Sequence, residues 1–567
     1  RPFFVENKNI FNFNVSGSAA GNTFGNDNLF YSRRIGKNPS HSPSTPSGAY
    51  TDVPSSTNIL GAAKFSGKTK NGLSIGILES VTSKEFAKIN YDGVETKEII
   101  EPLSNYFVGR VKKDFNERNS NVGAMITNTY RHLEGDLDFL HKSATTGGID
   151  FIHKWNNRAW QVSGDFVFSH VQGSKTAITN TQNSIGHLYQ RIDADHLEVD
   201  TSLTSLTGSG GILKIGNFAG NIMFETGVTW RTPGLELNDI GFQRQADDLR
   251  HFFWSGYRWR KPFSIFREMS LNYNHWVVSD FEGNLNSLSW NVNWHTVFKN
   301  NYRIGTGTNI NPYQFSNAHL RGGPRFRFIP NIGGWFYGNT DNRKKLSGGF
   351  NIYLSQGAEN ANAYQSYSIY LNYQPFNRLN ISVGPDFSVG QDELQYVQEV
   401  YHGNSTEYIV ADLDQSTFGV STRLNYTINP NLTIQLYAQP FTTRVNYSEF
   451  KRIMNPLSAK LADKAETFDN EQISYNTPDE SYTIDQDKDG NVDYTIGKPD
   501  FAYAQLRSNF VIRWEYKPGS EVFFVWSHNN GGLGDSSSKL GQIMNQQFLG
   551  VKGENILLAK ATYRLSL

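Results

Sequence analysis

Nine residues near the C-terminal end carry the clearest ligand chemistry in the chain: Asp485-Gln486-Asp487-Lys488-Asp489-Gly490-Asn491-Val492-Asp493. Asp485, Asp487, Asp489 and Asp493 stand at positions 1, 3, 5 and 9, Asn491 at position 7, and Gly490 at position 6, where the turn is sharpest. This is the oxygen-ligand spacing of a calcium loop, in which hard carboxylate oxygens surround a hard cation. Position 12 is Ile496, so a bidentate carboxylate must come from elsewhere, with Asp500 as the candidate. Calcium bound here would be weakly held and would brace a loop rather than catalyse. The alternative is an acidic turn that is merely solvated.

Other polar groups are less specific. In Pro233–Phe242 (PGLELNDIGF), Glu236, Asn238 and Asp239 could build a polar network at a rim or in a lumen. The favoured reading is a structural turn whose Gly and Asn residues supply positive φ. Arg33 and Arg34 could pair with interior carboxylates. His132, His141, His153, His170, His187 and His196 are close in sequence, but none sits in HExxH or a two-His-one-carboxylate spacing, so no metal centre is expected of them. There is no GxSxG, no phosphate-binding GxxxxGK[ST] and no dinucleotide fingerprint, and no catalytic residue is named. Cysteine is absent, which removes disulfides, thiolate nucleophiles and Cys-ligated zinc. With 53 basic and 53 acidic side chains there is no bulk attraction to nucleic acid.

The elements that carry these groups are strands. In residues 415–441, Phe418, Val420, Leu424, Tyr426 and Ile428 alternate with Gly419, Ser421, Arg423, Asn425 and Thr427; after the turn Asn429-Pro430-Asn431 the alternation resumes. Successive strand residues face opposite sides, so this hairpin has one apolar and one polar face. Trp160, Val162, Phe166 and Phe168 oppose Gln161, Ser163, Asp165 and Ser169 in the same way; Leu288, Trp290, Val292 and Trp294 oppose Ser289, Asn291, Asn293 and His295. Hydrophobic residues make up only 38% of the chain while aromatics reach 14%. A wide membrane barrel suits that balance, because only alternate residues need be apolar and aromatic belts mark both interfaces. No run approaches a membrane helix in length.

Connections segregate by length. Short ones fall at Lys68–Asn71, Asn116–Ser120, Asn156–Arg158, Gly216–Gly220, Arg260–Pro262, Lys299–Asn301, Thr340–Arg343, Gln374–Arg378, Asn429–Asn431 and Lys517–Ser520; long ones at 84–101, 132–146, 172–206, 232–247, 314–328, 442–500 and 529–550. Short periplasmic turns alternating with long extracellular loops are the habit of outer-membrane barrels. The expected fold is therefore all-β: a large antiparallel transmembrane β-barrel of about 22 strands, range about 20–24. Residues 58–567 form the barrel, with 442–500 as a long extracellular insertion. Residues 1–57, rich in Asn, Ser, Gly and Pro, form a lead-in that fills the lumen or lies as a surface loop. An even strand number requires a first strand at 28–35, and 378–414 has room for one further hairpin. The last segment, Ile556–Leu567, alternates outward Ala559, Ala561, Tyr563, Leu565 and Leu567 with inward Lys560, Thr562, Arg564 and Ser566, as a closing strand would. Arg1 begins without a signal peptide, which reads as the downstream part of a longer secreted protein.

RPFFVENKNIFNF, LFYSRRIGKNP, ILGAAKFSGKTKNGLSIGIL, PGLELNDIGF, HLRGGP, NLTIQLYAQPF and KPDFAYAQLRSNFVIRWEYKPGSEVFFVWS resemble the outer-membrane barrel half of a family of unknown function. The resemblance spans almost the whole chain. It implies a barrel similar in size to those of TonB-dependent receptors and, upstream in full-length members, a carbohydrate-binding-module family 9-like domain. The expectation is a non-enzymatic, multi-pass protein of the outer membrane of a Gram-negative bacterium that passes or binds a solute through a partly plugged lumen. An alternative is a structural or assembly component of an outer-membrane protein complex, and a weaker one is a glycan-related envelope hydrolase acting through the missing upstream domain. Expected partners are outer-membrane lipid and lipopolysaccharide, and other outer-membrane proteins or lipoproteins, with no nucleic acid; calcium is the one cofactor considered.

Overall fold

The computed structural model describes Phe4, residues 9–13, Val15, and residues 17–21, 27–403 and 405–564. The chain is nearly all β. Twenty-three strands belong to one large antiparallel sheet of barrel topology, within the range expected from the alternation. By contacts the chain divides into two compact units. One comprises 1–257, 273–289 and 315–326; the other comprises 258–272, 290–314 and 327–567.

In the first unit nine strands follow one another as an up-and-down meander: Ile59–Lys68, Leu73–Thr82, Leu103–Phe115, Ser120–His132, His141–Trp155, Trp160–Gly173, Ser205–Asn217, Ile222–Arg231 and Asp248–Trp259. Side chains alternate sharply across it. Ile77, Ile126 and Ile149 are 45%, 47% and 56% exposed, while their neighbours Leu78 and Met125 are buried. A row of exposed aliphatic side chains on one face of a sheet needs an apolar solvent, which acyl chains supply. Beside the short turns aromatic rings collect: Trp155 stacks on Trp160 at 6.0 Å, and Phe224 meets Trp160 edge-on at 5.7 Å. Such rings suit the level where acyl chains give way to headgroups.

In the second unit ten strands continue the same pattern: Arg303–Ser316, Asn331–Asn339, Leu346–Gly357, Asn362–Phe376, Leu379–His402, Ser405–Asn429, Leu432–Ile453, Phe501–Lys517, Ser520–Gly534 and Glu554–Thr562. No further hairpin forms within 378–414: Leu379–His402 pairs directly with Ser405–Asn429, which includes the strand read at 415–428, so the stretch lengthens two strands instead of adding two. Two more strands, Phe266–Ser279 and Leu285–Phe298, share their residues between the units, and the short strands Phe326–Arg327 and Ala465–Thr467 complete the twenty-three. Among the described residues no helix is long and apolar enough to cross a membrane. Leu565, Ser566 and Leu567 lie outside the described residues.

The first strand anticipated at 28–35 does not form. Asn28 makes a single antiparallel bridge to Phe242, and Ser32–Arg34 is a short 3-10 turn. Its apolar residues Leu29 and Ile35 are fully buried on the inner side of the first unit, where packing replaces a ladder of hydrogen bonds. The 442–500 insertion is shorter at its base than expected, because the strand Leu432–Ile453 extends into it. Beyond that strand it carries its own three-stranded sheet, Ile473–Asn476, Ser481–Ile484 and Tyr494–Gly497.

Candidate functional site

The inner face of the first unit is filled. Phe11 and Phe13 of the lead-in, with Val15, Leu29 and Ile35, pack against Leu78, Tyr106, Val108, Met125 and Val167 from the strands and against Leu235, Leu237 and Ile240 from the loop 232–247. Gly148 makes room for this: a Cβ there would lie 2.6 Å from the Phe13 ring and 3.1 Å from Leu29. Full burial of each aromatic side chain contributes about 1.5–3 kcal/mol.

Charge fastens the same segment. The Arg231 guanidinium donates to Asp27 at 2.9 Å with both side chains wholly buried, and it also reaches the carbonyls of Trp230 at 2.9 Å and Val15 at 3.3 Å. Lys214 donates to the Gly17 carbonyl, while Glu225, 3.4 Å from Lys214, accepts from the Ala19 amide. Arg34 does not pair with a carboxylate as expected. It donates to the Gly241 carbonyl at 3.1 Å and to Asn238 Oδ1 at 2.9 Å, because the carboxylate beside Asn238 is already engaged.

That carboxylate is Asp239. Arg131 donates to it at 2.6 Å and His141 Nδ1 lies 2.9 Å away; the other His141 nitrogen is 2.7 Å from Thr181 Oγ1 on the helix Lys175–Asn183. Burial opposes ionisation of Asp239, but His141 and Arg131 outweigh it and hold the carboxyl well below the usual carboxylate range. Glu236 pairs with His187 at 3.0 Å, and His187 also reaches the Pro233 carbonyl at 2.8 Å. The segment PGLELNDIGF is thus a buried polar network, not the simple turn favoured from sequence. None of its Gly or Asn residues has positive φ. Gly234 and Gly241 serve close approach instead, since a Cβ would lie 2.3 Å from the Thr207 carbonyl and 2.4 Å from the Asn28 carbonyl, respectively. Histidines 141, 187 and 196 face carboxylates rather than one another.

The polar face of the second unit is lined by amides. Asn272 donates to Asn293 at 2.7 Å, Asn291 to Asn309 at 2.7 Å, and Asn311 to Asn331 at 2.8 Å, each pair joining neighbouring strands.

In the acidic loop the structure brings Asp485, Asp487 and Asp493 together, with one ligand oxygen of each within 4.8 Å of the others. Asp489 and Asn491 are directed at each other: Asp489 accepts from the Asn491 amide at 2.8 Å and from its side chain at 3.0 Å. Lys488 turns away to Asp469 at 2.6 Å, leaving the three carboxylates without a lysine. His402 stands 3.3 Å from Asp493. Ile496 is buried in the strand Tyr494–Gly497, and Asp500 accepts from the Tyr447 amide at 2.7 Å, so neither completes the set. Three carboxylate oxygens this close together are the donor type a hard divalent cation takes.

Residues 1–563 match the family described as Domain of unknown function (DUF5916), and the chain belongs to that family. No match was found among curated proteins. Among solved structures, the chain is similar to the FrpB iron transporter from Neisseria meningitidis (9% identity, 82% of this chain and 76% of that one, TM-score 0.39). It is also similar to the outer membrane transporter YddB from Escherichia coli (8% identity, 83% of this chain, TM-score 0.36) and to the copper transporter OprC (9% identity, 86% of this chain and 75% of that one, TM-score 0.31). The chain spans 62% of the length of YddB.

Proposed function

We propose that this chain is a non-enzymatic barrel of the Gram-negative outer membrane that binds or passes a polar solute, with the lead-in acting as an internal plug. The observation that carries this reading is the wholly buried Asp27–Arg231 pair, which ties the lead-in to the inner wall of the first unit. Breaking such a pair is costly, so the segment is held in place rather than resting loosely against the wall. The exposed aliphatic rows supply the lipid-facing surface, with outer-membrane lipid and lipopolysaccharide as its surroundings. The short turns then face the periplasm and the long connections the exterior, and calcium at Asp485, Asp487 and Asp493 braces the insertion.

The test is ion conductance of the purified chain in planar bilayers, with and without residues 1–35. Conductance that is small in the intact chain and rises at least tenfold on deletion supports a plugged channel. An absence of conductance in both forms overturns it. A second reading, a scaffold for other envelope proteins or lipoproteins, is favoured by the insertion's own core, in which Phe468, Ile484, Tyr494 and Ile496 pack on Phe450 and Ile409. Stoichiometric co-purification of another outer-membrane protein, lost on removal of 454–500, supports that reading.

A further inference from the structure

On the polar face of the second unit, three aromatic rings lie side by side. His295 and Trp335 are 5.4 Å apart between centroids, His295 and Tyr337 5.8 Å, and Trp335 and Tyr337 5.8 Å, with planes within 37° of one another. They come from the strands Leu285–Phe298 and Asn331–Asn339, which flank Arg303–Ser316. They meet across that middle strand because it carries Gly305 and Gly307 at the crossing. A Cβ on Gly305 would lie 2.5 Å from the Tyr337 ring and 2.7 Å from His295; one on Gly307 would lie 2.7 Å from the Trp335 ring and 2.8 Å from Asn293. The rings therefore rest on glycine backbone, and His295 Nδ1 and the Tyr337 hydroxyl, 2.9 Å apart, lock two of them. All three rings are only partly buried, so the patch is open to the lumen side.

This placement is unlike the other aromatics of the same strand. Phe336 falls on the opposite parity, is 40% exposed and packs on Phe350 at 5.4 Å, as a lipid-facing side chain does. Trp335 and Tyr337 share their face with Asn331 and sit next to the amides of Asn291, Asn293 and Asn309. Asn293 accepts once, from Asn272, and donates once, to Asn291, and Asn309 accepts once from Asn291, whereas a primary amide has two donors and two lone pairs. Those of Asn293 and Asn309 are neutral, and both side chains lie on the wet parity of the wall. A flat apolar platform bordered by neutral two-way hydrogen-bonding groups matches one solute chemistry: a ring with an apolar C–H face and hydroxyls around its edge.

We infer that this wall is a saccharide-binding site, with Trp335, Tyr337 and His295 as the stacking platform and Asn293 and Asn309 as hydroxyl partners. Beside the platform, toward the short turns, a pocket of about 250 Å³ lined by Arg258, Glu268, Arg303, His295 and Tyr337 receives the end of the chain of sugars. The inference rests on the reading that the barrel handles a polar solute, and it names that solute's class.

The experiment is calorimetric titration of the full chain in detergent with soluble malto-, cello- and xylo-oligosaccharides, with diglycine as an amide-bearing control. Saturable binding of at least one oligosaccharide series and none of diglycine is expected. Trp335→Ala should weaken that binding tenfold or more, Gly307→Ala threefold or more by lifting the Trp335 ring, and Phe336→Leu on the lipid face less than twofold. Folding of each variant is checked by heat-modifiable gel migration; if Trp335→Ala does not fold, Trp335→Leu and Asn293→Ala take its place, each with at least a threefold loss. No binding of any oligosaccharide, or binding within twofold of wild type in the platform variants, overturns the inference. Conductance with saccharide indifference would sink only the saccharide assignment, whereas saccharide binding by a chain that never conducts would sink only the channel.

Discussion

Replacing Asp27 with Ala removes the carboxylate to which Arg231 donates at 2.9 Å, while leaving the guanidinium wholly buried. Loss of one partner from a buried ion pair costs about 3–5 kcal/mol, because the surviving charge is left uncompensated in a poorly solvating interior. Carbonyls of Trp230 and Val15 still accept from Arg231, which places the expected cost at the lower end, about 3 kcal/mol. At about 1.4 kcal/mol per tenfold, the population with the lead-in released should rise roughly a hundredfold. The buried rings of Phe11 and Phe13 remain as anchors, so the segment stays docked for most of the time and opens in bursts. Single-channel recording should show brief large openings, and hydrogen exchange of the amides of residues 27–35 should accelerate by a similar factor. Asp27→Leu combined with Arg231→Met swaps the pair for apolar side chains of similar size and should return both signals to near wild-type values. If exchange in 27–35 and the frequency of openings stay within twofold of wild type in a folded Asp27→Ala protein, the ion pair does not hold the plug.

Asp239 provides a pH-dependent counterpart. Its folded carboxyl is held below its ordinary value, so its stabilisation is complete above pH about 4 and is lost as pH falls further toward the depressed value. Because the His141 imidazolium, favoured by Asp239, contributes fully only below its ordinary value near 6.5, exchange protection of 233–242 should be flat from about pH 6 to 4 and fall below it, whereas Asp239→Asn should already lose about 3 kcal/mol of local stability at pH 7; equal protection in the two proteins at neutral pH would count against the network. Millimolar calcium should slow proteolysis of 454–500 severalfold in wild type and leave Asp485→Ala/Asp487→Ala unchanged, and cleavage indifferent to chelator in wild type would dispose of the brace. Ile332, 52% exposed on the apolar face, should tolerate Phe but lose about 2–4 kcal/mol as Arg if it lies near the bilayer midplane, read by urea unfolding in lipid vesicles; an Arg variant as stable as wild type would argue against a lipid contact there.

The period-two alternation made the strands and their faces legible, because a residue on a half-wet sheet must choose a side. The ten short connections named from sequence all fall where consecutive strands of the sheet turn, for the same reason: Gly, Asn and Pro cluster where the ladder ends. Residues 28–35 misled because Phe30, Tyr31 and Ile35 look like strand residues, yet a strand also needs a neighbour with a free edge. The segment found apolar side chains instead. Length was equally opaque at 378–429, where the strands run through a long uninterrupted stretch before and after Gly403, and nothing local marks how far they project beyond the membrane.

What the interior does is written in the positions that break the alternation. In the first unit, Ile77-Leu78, Phe107-Val108 and Met125-Ile126 are apolar on both parities, which a watery bore would not tolerate. Leu78, Val108 and Met125 are the members of these pairs that meet the lead-in. In the second unit the wet parity stays polar through Asn291, Asn293, Asn309 and Asn331 and then carries Trp335 and Tyr337, with Gly305 and Gly307 opposite. A large ring on a wet face loses hydrophobic stabilisation unless something covers it, and Trp335, Tyr337 and His295 are only partly buried. The same violation therefore has two solutions in one chain: where small inward residues meet a tethered segment the wall is closed, and where rings lie on glycine beside amides the wall is left to a solute.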